Sequence, residues 1–424
     1  MNAVARAIRS IDHDGLLATL EELVAIQSLG GKPGEIEIQE RVASRLDSWG
    51  CDVDAWEIDM AALATHPAFS AELDRARGLG VVGSIGVGGR SLILNGHTDV
   101  VPAGDHANWT HDPWRATVAH GRVYGRGTVD MKGGLVCGLF AIKAIIDAGI
   151  SLAGRVSLQS VIGEEDGGTG TLASVLRGHT GDGAIIMEPT GLAIAPVQAG
   201  CFNFRVIVPG KAAHGAIRYE GVDPIEKFIP IYEAILEFER TRNTGPHHEL
   251  FQTYPAPYPI AVGTIRAGVW ASTVAEQLTF EGRYGIVPGE DLDHARNQFE
   301  DVVRNAAAGD PWLRDNPPSV SWWGGQFEPA ITAADHDVVT MTSQALAEAA
   351  GRPAELRGMP FGADMRLLVN EGSTPTVMFG PGDVRVAHYA DEYVPIDDLS
   401  ICTETLIRTI LEFCGVENAD GSAG

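Results

Sequence analysis

Apolar residues recur at helical spacing twice near the start of the chain, first at Leu16, Leu17, Leu20, Leu23, Val24 and Ile26, then at Ile36, Ile38, Val42 and Leu46. Both runs predict amphipathic helices, the second closed by Gly50 as a C-cap. The stretch CDVDAWEI alternates as a strand does. Residues 59–80 carry neither period and read as a surface insertion. From Val81 a theme repeats, in which a short β-rich run ends in glycine and a polar or ionisable residue. SLILNG leads to His97, RVSLQSVIG to Glu164 and Glu165, and GAIIM to Glu188, while TPTVMFGPG precedes His388. Between the first two, GGLVCGLFAIKAII predicts a helix that starts beside Asp130. Strands alternating with helices imply an α/β fold, a mostly parallel sheet flanked by helices. Ligands of such sheets bind beyond the carboxyl ends of the strands, where these residues fall.

The middle of the chain follows another pattern. QAGCFNFRVIVPG alternates strongly, residues 222–240 form an amphipathic helix, YPIAVGTIRAG and EQLTFEGRYGIVP read as strands, and EDLDHARNQFEDVVRNAAAG reads as a helix. This β-α-β-β-α order predicts an inserted α+β unit. The expected division is 1–198 and 315–424 for the α/β domain and 199–314 for the insert. A helix is expected near 335–351 and another over SICTETLIRTILEFCG, with the tail ENADGSAG disordered. The aromatic group Trp312, Trp322 and Trp323 reads as packing at a domain junction.

Composition narrows the partners. The 424 residues hold 31 basic and 56 acidic side chains, a net charge of −25, with no basic run to offset it. Such a chain repels phosphate backbones, so neither nucleic acid nor an anionic membrane is expected as a partner. The five cysteines are odd in number, widely spaced and without a C-x-x-C pair, which predicts buried reduced thiols rather than disulfides. The longest apolar stretch, Leu135 to Ile146, is interrupted by Lys143 and is too short to span a bilayer. With no apolar signal core near the N-terminus, the expected location is cytoplasmic.

The candidate chemistry lies at the strand ends. Any one of His97, Asp99, Asp130, Glu164, Glu165, Glu188 and His388 is weak evidence, because a lone loop carboxylate is usually a solvated group. Together on one rim they would repel one another, and divalent cations resolve that conflict. His97 and Asp99, two apart in N-G-H-T-D, point the same way, so the Asp99 carboxylate is placed to fix the second ring nitrogen of His97. Asp130, in G-R-G-T-V-D-M-K-G-G, has two oxygens with which to bridge two ions. In G-E-E-D-G-G one of Glu164 and Glu165 can bind metal while the other acts as a general base.

These runs, NGHTDVVPAG, GRGTVDMKGG, GEEDGG, MEPT and the late His388, resemble in order and over nearly the whole chain the co-catalytic zinc amidohydrolases and exopeptidases that include acetylornithine deacetylase, succinyl-diaminopimelate desuccinylase and carboxypeptidase G. The resemblance implies one metal on His97, Asp130 and Glu188, a second on Asp130, Glu165 and His388, and Glu164 as acid/base. Two Zn2+ ions, with Co2+ or Mn2+ as substitutes, are the implied cofactors. It also makes the insert a lid or dimerisation domain, and makes His214, in V-P-G-K-A-A-H-G, an oxyanion donor often supplied by the partner subunit of a homodimer. F-G-A-D-M-R-L-L resembles the family's substrate loop, with Arg366 as a clamp for a substrate carboxylate. Where many relatives carry Asn-x-x-Pro this chain has Ser272 to Ala275, S-T-V-A, which points to a deacylase-like branch. The implied reaction is hydrolysis of the amide of a small N-acyl amino acid by metal-activated water. The alternatives are a dipeptidase or carboxypeptidase with the same centre, and an inactive binding protein of the same fold.

Overall fold

The computed structural model describes residues 2–245 and 248–417, and the tail expected to be disordered lies outside them from residue 418 on. The chain divides into two compact units. Among the described residues, the first comprises those up to 197, 331–357 and those from 363 on, and the second comprises the rest.

The first unit is built on a mixed sheet. Its strands run in the order Asp52–Glu57, Leu79–Ile85, Arg155–Val161, Ser91–His97, Gly183–Ile186, Thr376–Met378 and Ile194–Gln198. The four strands from Arg155–Val161 to Thr376–Met378 are parallel to one another, and the pairs outside them are antiparallel. Register fixes what happens at the strand ends. His97 pairs with Val161 and Asn95 with Ile186, so the residues just past 161 and 186 come level with His97. The parallel strands are buried nearly throughout, as they must be when helices cover both faces. The helix Gly133–Asp147 is buried along most of its length, and at Gly134 it passes so close to the sheet that an added Cβ would lie 2.0 Å from the Met187 carbonyl oxygen. Glycine is required there by the approach itself.

The stretch 59–80 lies mostly at the surface, as expected, yet it is anchored in the fold. It supplies part of the strand Leu79–Ile85, places Leu63 in a small core with Ile58 and Ile162, and carries Arg75 into the interior. Two buried carboxylates draw it in. The Arg75 guanidinium contacts Glu35 through Nη2 at 2.8 Å and Asp166 through Nη2 at 2.7 Å and Nη1 at 2.8 Å.

The second unit is a four-stranded antiparallel sheet in the order Ile260–Ala267, Gln277–Ile286, Gly200–Pro209 and Ser319–Phe327, with helices Pro224–Arg242 and Leu292–Ala308. One face of Gly200–Pro209 is buried at alternate residues, and Phe202, Phe204, Val206 and Val208 form the core with Phe280, Tyr284 and Phe299. The strand Ser319–Phe327 carries the unit to Ala330, beyond the expected 314, because it pairs with Gly200–Pro209. Its alternation is broken by a register shift between Trp322 and Gln326, which hides it from a period-two search. Trp312 and Trp322 pack on this unit's own core rather than at a domain junction.

Candidate metal centre

Five sequence-distant segments bring their polar side chains to the carboxyl ends of the parallel strands. His97 ends the strand Ser91–His97. Its Nδ1 lies 2.9 Å from the main-chain oxygen of Asp99 and 3.7 Å from that residue's carboxylate. Nδ1–H therefore donates to that carbonyl, which leaves Nε2 as the nitrogen that faces the site. This corrects the expectation that the Asp99 carboxylate orients the ring. That carboxylate, buried, instead accepts the amides of Glu164 and Glu165, each at 3.2 Å, and so holds the turn that presents both glutamates.

Asp130 lies between two imidazoles. Its Oδ1 is 3.1 Å from His97 Nε2, and its Oδ2 is 3.3 Å from His388 Nε2. His388 Nε2 also lies 3.0 Å from Glu165 Oε2, and His97 Nε2 lies 3.8 Å from Glu188 Oε1. Single ligand atoms of His97, Glu164 and Glu188, and likewise of His97, Asp130 and Glu165, all fall within 4.8 Å of one another. Seven of the nine sequence-derived residues thus converge: His97, Asp99, Asp130, Glu164, Glu165, Glu188 and His388. The backbone of His388 has φ of +57°, a left-handed conformation that few non-glycine residues adopt and that surrounding structure must enforce.

The electrostatics describe a site with more negative charge than its own cations satisfy. Burial, reinforced by Glu188, pushes the Glu164 carboxyl far above the usual range. Burial and Asp130 raise Glu165 and Glu188. Asp130 moves the other way: its desolvation is outweighed by His388 and His97, which hold it ionised. His388 is raised to about 10 by Asp130 and Glu165, and His97 rises despite burial because Asp130 and Glu188 face it. Protons stand here where cations fit, because oxygen and imidazole donors at this spacing form the ligand set that divalent metals take.

The remaining two expected residues are His214 and Arg366. His214 belongs to the second unit, exposed on the short strand Ala213–His214 opposite Thr273–Val274. The divergent S-T-V-A run is therefore its immediate neighbour, and Gly215 donates to the Ser272 carbonyl at 2.7 Å. His214 Nδ1 accepts the Ala216 amide at 3.1 Å, which puts the proton of the neutral ring on Nε2. Arg366 is buried, and its Nη2 donates to the Gly167 carbonyl at 2.8 Å and to Ser70 Oγ at 3.4 Å. That placement binds it to the turn following Glu164 and Glu165, whereas a carboxylate clamp needs an accessible fork. Asp364, two residues before it, is missed by sequence reasoning. It is fully buried, raises Glu164 and Glu188, and is itself pushed up to about 6 by burial. The only signal was its place in the same F-G-A-D-M-R run.

Comparison with known proteins gives consistent likenesses. The model of peptidase family M20/M25/M40 matches residues 93–412. The chain is 30% identical to the N-formyl-4-amino-5-aminomethyl-2-methylpyrimidine deformylase of Bacillus subtilis (strain 168), with 89% of each chain covered. It is 29% identical to the acetylornithine deacetylase of Myxococcus xanthus, covering 94% of this chain and 98% of that one. The fold matches human carnosine dipeptidase 1 with a TM-score of 0.73 at 16% identity, over 98% of this chain and 99% of that one.

Proposed function

The chain belongs to peptidase family M20/M25/M40, whose enzymes are metal-dependent hydrolases of amide bonds, and from that premise we propose that it removes a small acyl group from an N-acyl amine or N-acyl amino acid. The observation that carries this reading is the Asp130 carboxylate set between the Nε2 atoms of His97 and His388, with Glu164, Glu165 and Glu188 around it. His97, Asp130 and Glu188 would hold one divalent ion, and Asp130, Glu165 and His388 a second. Zinc is the proposed metal, with cobalt or manganese able to replace it. When bound, such a pair supplies Lewis acidity and lowers the pKa of water.

The chain's own side chains do the rest. Glu164, left outside both ligand sets, takes the proton from the attacking water and delivers it to the leaving nitrogen. Asp99 holds Glu164 in place through its amide. Arg366 acts beside it, holding the following turn through the Gly167 carbonyl. The oxyanion donor in this reading is a His214 supplied by a second copy of the chain, with its proton on Nε2. The relatives named for deformylation and deacetylation support a short acyl group, formyl or acetyl, and the buried Arg366 favours substrates that need no carboxylate anchor from this residue.

The proposed assembly is a homodimer. Ile225, Ile229, Ile265, Val269 and Trp270 of the second unit are exposed, which supports burial against a second copy, and light scattering tests it. A cytoplasmic setting is supported by five cysteines without a disulfide. No helix among the described residues is long and apolar enough to cross a membrane. The deciding experiment is chelation, then reloading with Zn2+, Co2+ or Mn2+, then a panel of N-formyl, N-acetyl, N-succinyl and N-aroyl compounds and dipeptides. Release of amine from short N-acyl compounds, lost with chelator and restored by metal, is expected. Cleavage of dipeptides alone would install the peptidase alternative, and metal uptake without any hydrolysis would install the inactive binder.

A further inference from the structure

Glu392 lies four residues beyond His388, and its side chain is completely buried. Its Oε1 accepts two consecutive amides, from Val129 at 2.9 Å and from Asp130 at 3.2 Å. Its Oε2 accepts Arg126 Nη1 at 2.5 Å. The main chain repeats the tie: Gly125 N–H donates to the Glu392 carbonyl at 2.9 Å, and the strand Tyr393–Pro395 pairs with Arg122–Tyr124. One buried carboxylate thus fastens the backbone that presents Asp130 to the backbone that presents His388, 258 residues further along. A buried carboxylate is costly unless its acceptors are filled, and here two amides and a guanidinium fill them.

The two proposed metal subsites depend on this tie unequally. His97 and Glu188 stand at the ends of adjacent parallel strands, fixed by ladder register. His388 stands on a loop, half exposed, in a left-handed backbone conformation. We infer that Glu392 is a positioning residue for the second subsite: by clasping the Val129 and Asp130 amides it sets the Asp130–His388 separation, so that Asp130, Glu165 and His388 form one ligand set. This rests on the two-metal reading above and assigns Glu392 no contact with substrate or metal.

The test is a Zn2+ titration of chelated protein against a competing chromophoric chelator, for wild type, Glu392→Gln and Glu392→Asp. Glutamine keeps one acceptor oxygen but turns an amide donor toward Arg126, and aspartate keeps the charge but falls one methylene short. Asp130 belongs to both ligand sets, so the expected result is unequal loss: the second equivalent binds roughly 10–100-fold more weakly, the usual scale for residues that orient ligands, and the first loses clearly less. Far-UV circular dichroism of the chelated proteins establishes that each variant is folded, and if one is not, the other is read. A purely structural residue would weaken both equivalents alike or neither, and either outcome overturns the inference. Wild type that takes up fewer than two equivalents overturns the two-metal reading itself, and this inference with it.

Discussion

Replacing Arg75 with methionine isolates one buried ion network beneath the carboxylate turn. The guanidinium is fully enclosed and contacts Glu35 through Nε at 3.0 and 3.1 Å and Nη2 at 2.8 Å. It contacts Asp166 through Nη1 at 2.8 Å and Nη2 at 2.7 Å. Methionine fills much of the volume but leaves two carboxylates buried without a cation. Removing one partner from a buried network costs about 3–5 kcal/mol, because the charge left behind loses its compensation and cannot regain water. At about 2 °C per kcal/mol for a unit of this size, the melting temperature should fall by about 6–10 °C. The loss should depend on pH. Burial pushes Glu35 from 4.5 up to about 7 against the pull of Arg75. A folded pKa raised in this way gives a contribution fully present below 4.5 and lost as pH rises through 7, so the Arg75→Met penalty should be larger at pH 8 than at pH 6. Differential scanning calorimetry at both pH values measures this. The triple variant Arg75→Met, Glu35→Gln, Asp166→Asn should recover part of the loss, since the amide oxygens can still accept from Gly31 and Leu73. Arg75→Met melting within about 2 °C of wild type, or a triple variant less stable than the single one, would refute the reasoning.

Other perturbations separate the proposed roles. Glu164→Gln should lower kcat by roughly 10²–10⁴-fold while metal analysis still finds two equivalents, since this residue lies outside both ligand sets; retained turnover removes it as the base. His214→Ala should slow turnover by about 10²–10³-fold with metal content unchanged, and an unaltered rate would dismiss the oxyanion role. Burial raises the thiols of Cys51 from 9.0 to about 11 and of Cys414 to about 12, so at pH 8 a disulfide reagent should find at most Cys201 quickly in the native protein and all five thiols after unfolding. More than one fast native thiol would contradict the packing.

Much of the site was legible because its chemistry and its topology share one signal. A β-rich run followed by glycine and a donor marks the carboxyl end of a parallel strand, and that signal yielded His97, Glu164, Glu165 and Glu188 without reference to contacts. Arg75, Glu392 and the buried state of Arg366 carried no comparable mark. An arginine between 59 and 80 reads the same whether it meets water or two buried carboxylates, because its partners are 40 and 91 residues away. The fourth strand of the second unit was hidden for a local reason, since its bulge breaks the alternation that sequence reading relies on.

The sequence by itself determined which donors exist, in which order, and on which kind of element each would stand. Hydrophobic periodicity is a local property, and strand ends follow from it. The tertiary structure alone decided that Glu392 ties the Asp130 backbone to the loop of His388, that the Asp99 carbonyl rather than its carboxylate holds His97, and that Arg366 is bound into the interior. Those are distances set by strand register and by burial of long-range charge pairs, and no local pattern encodes which remote residue arrives at the other end of a hydrogen bond.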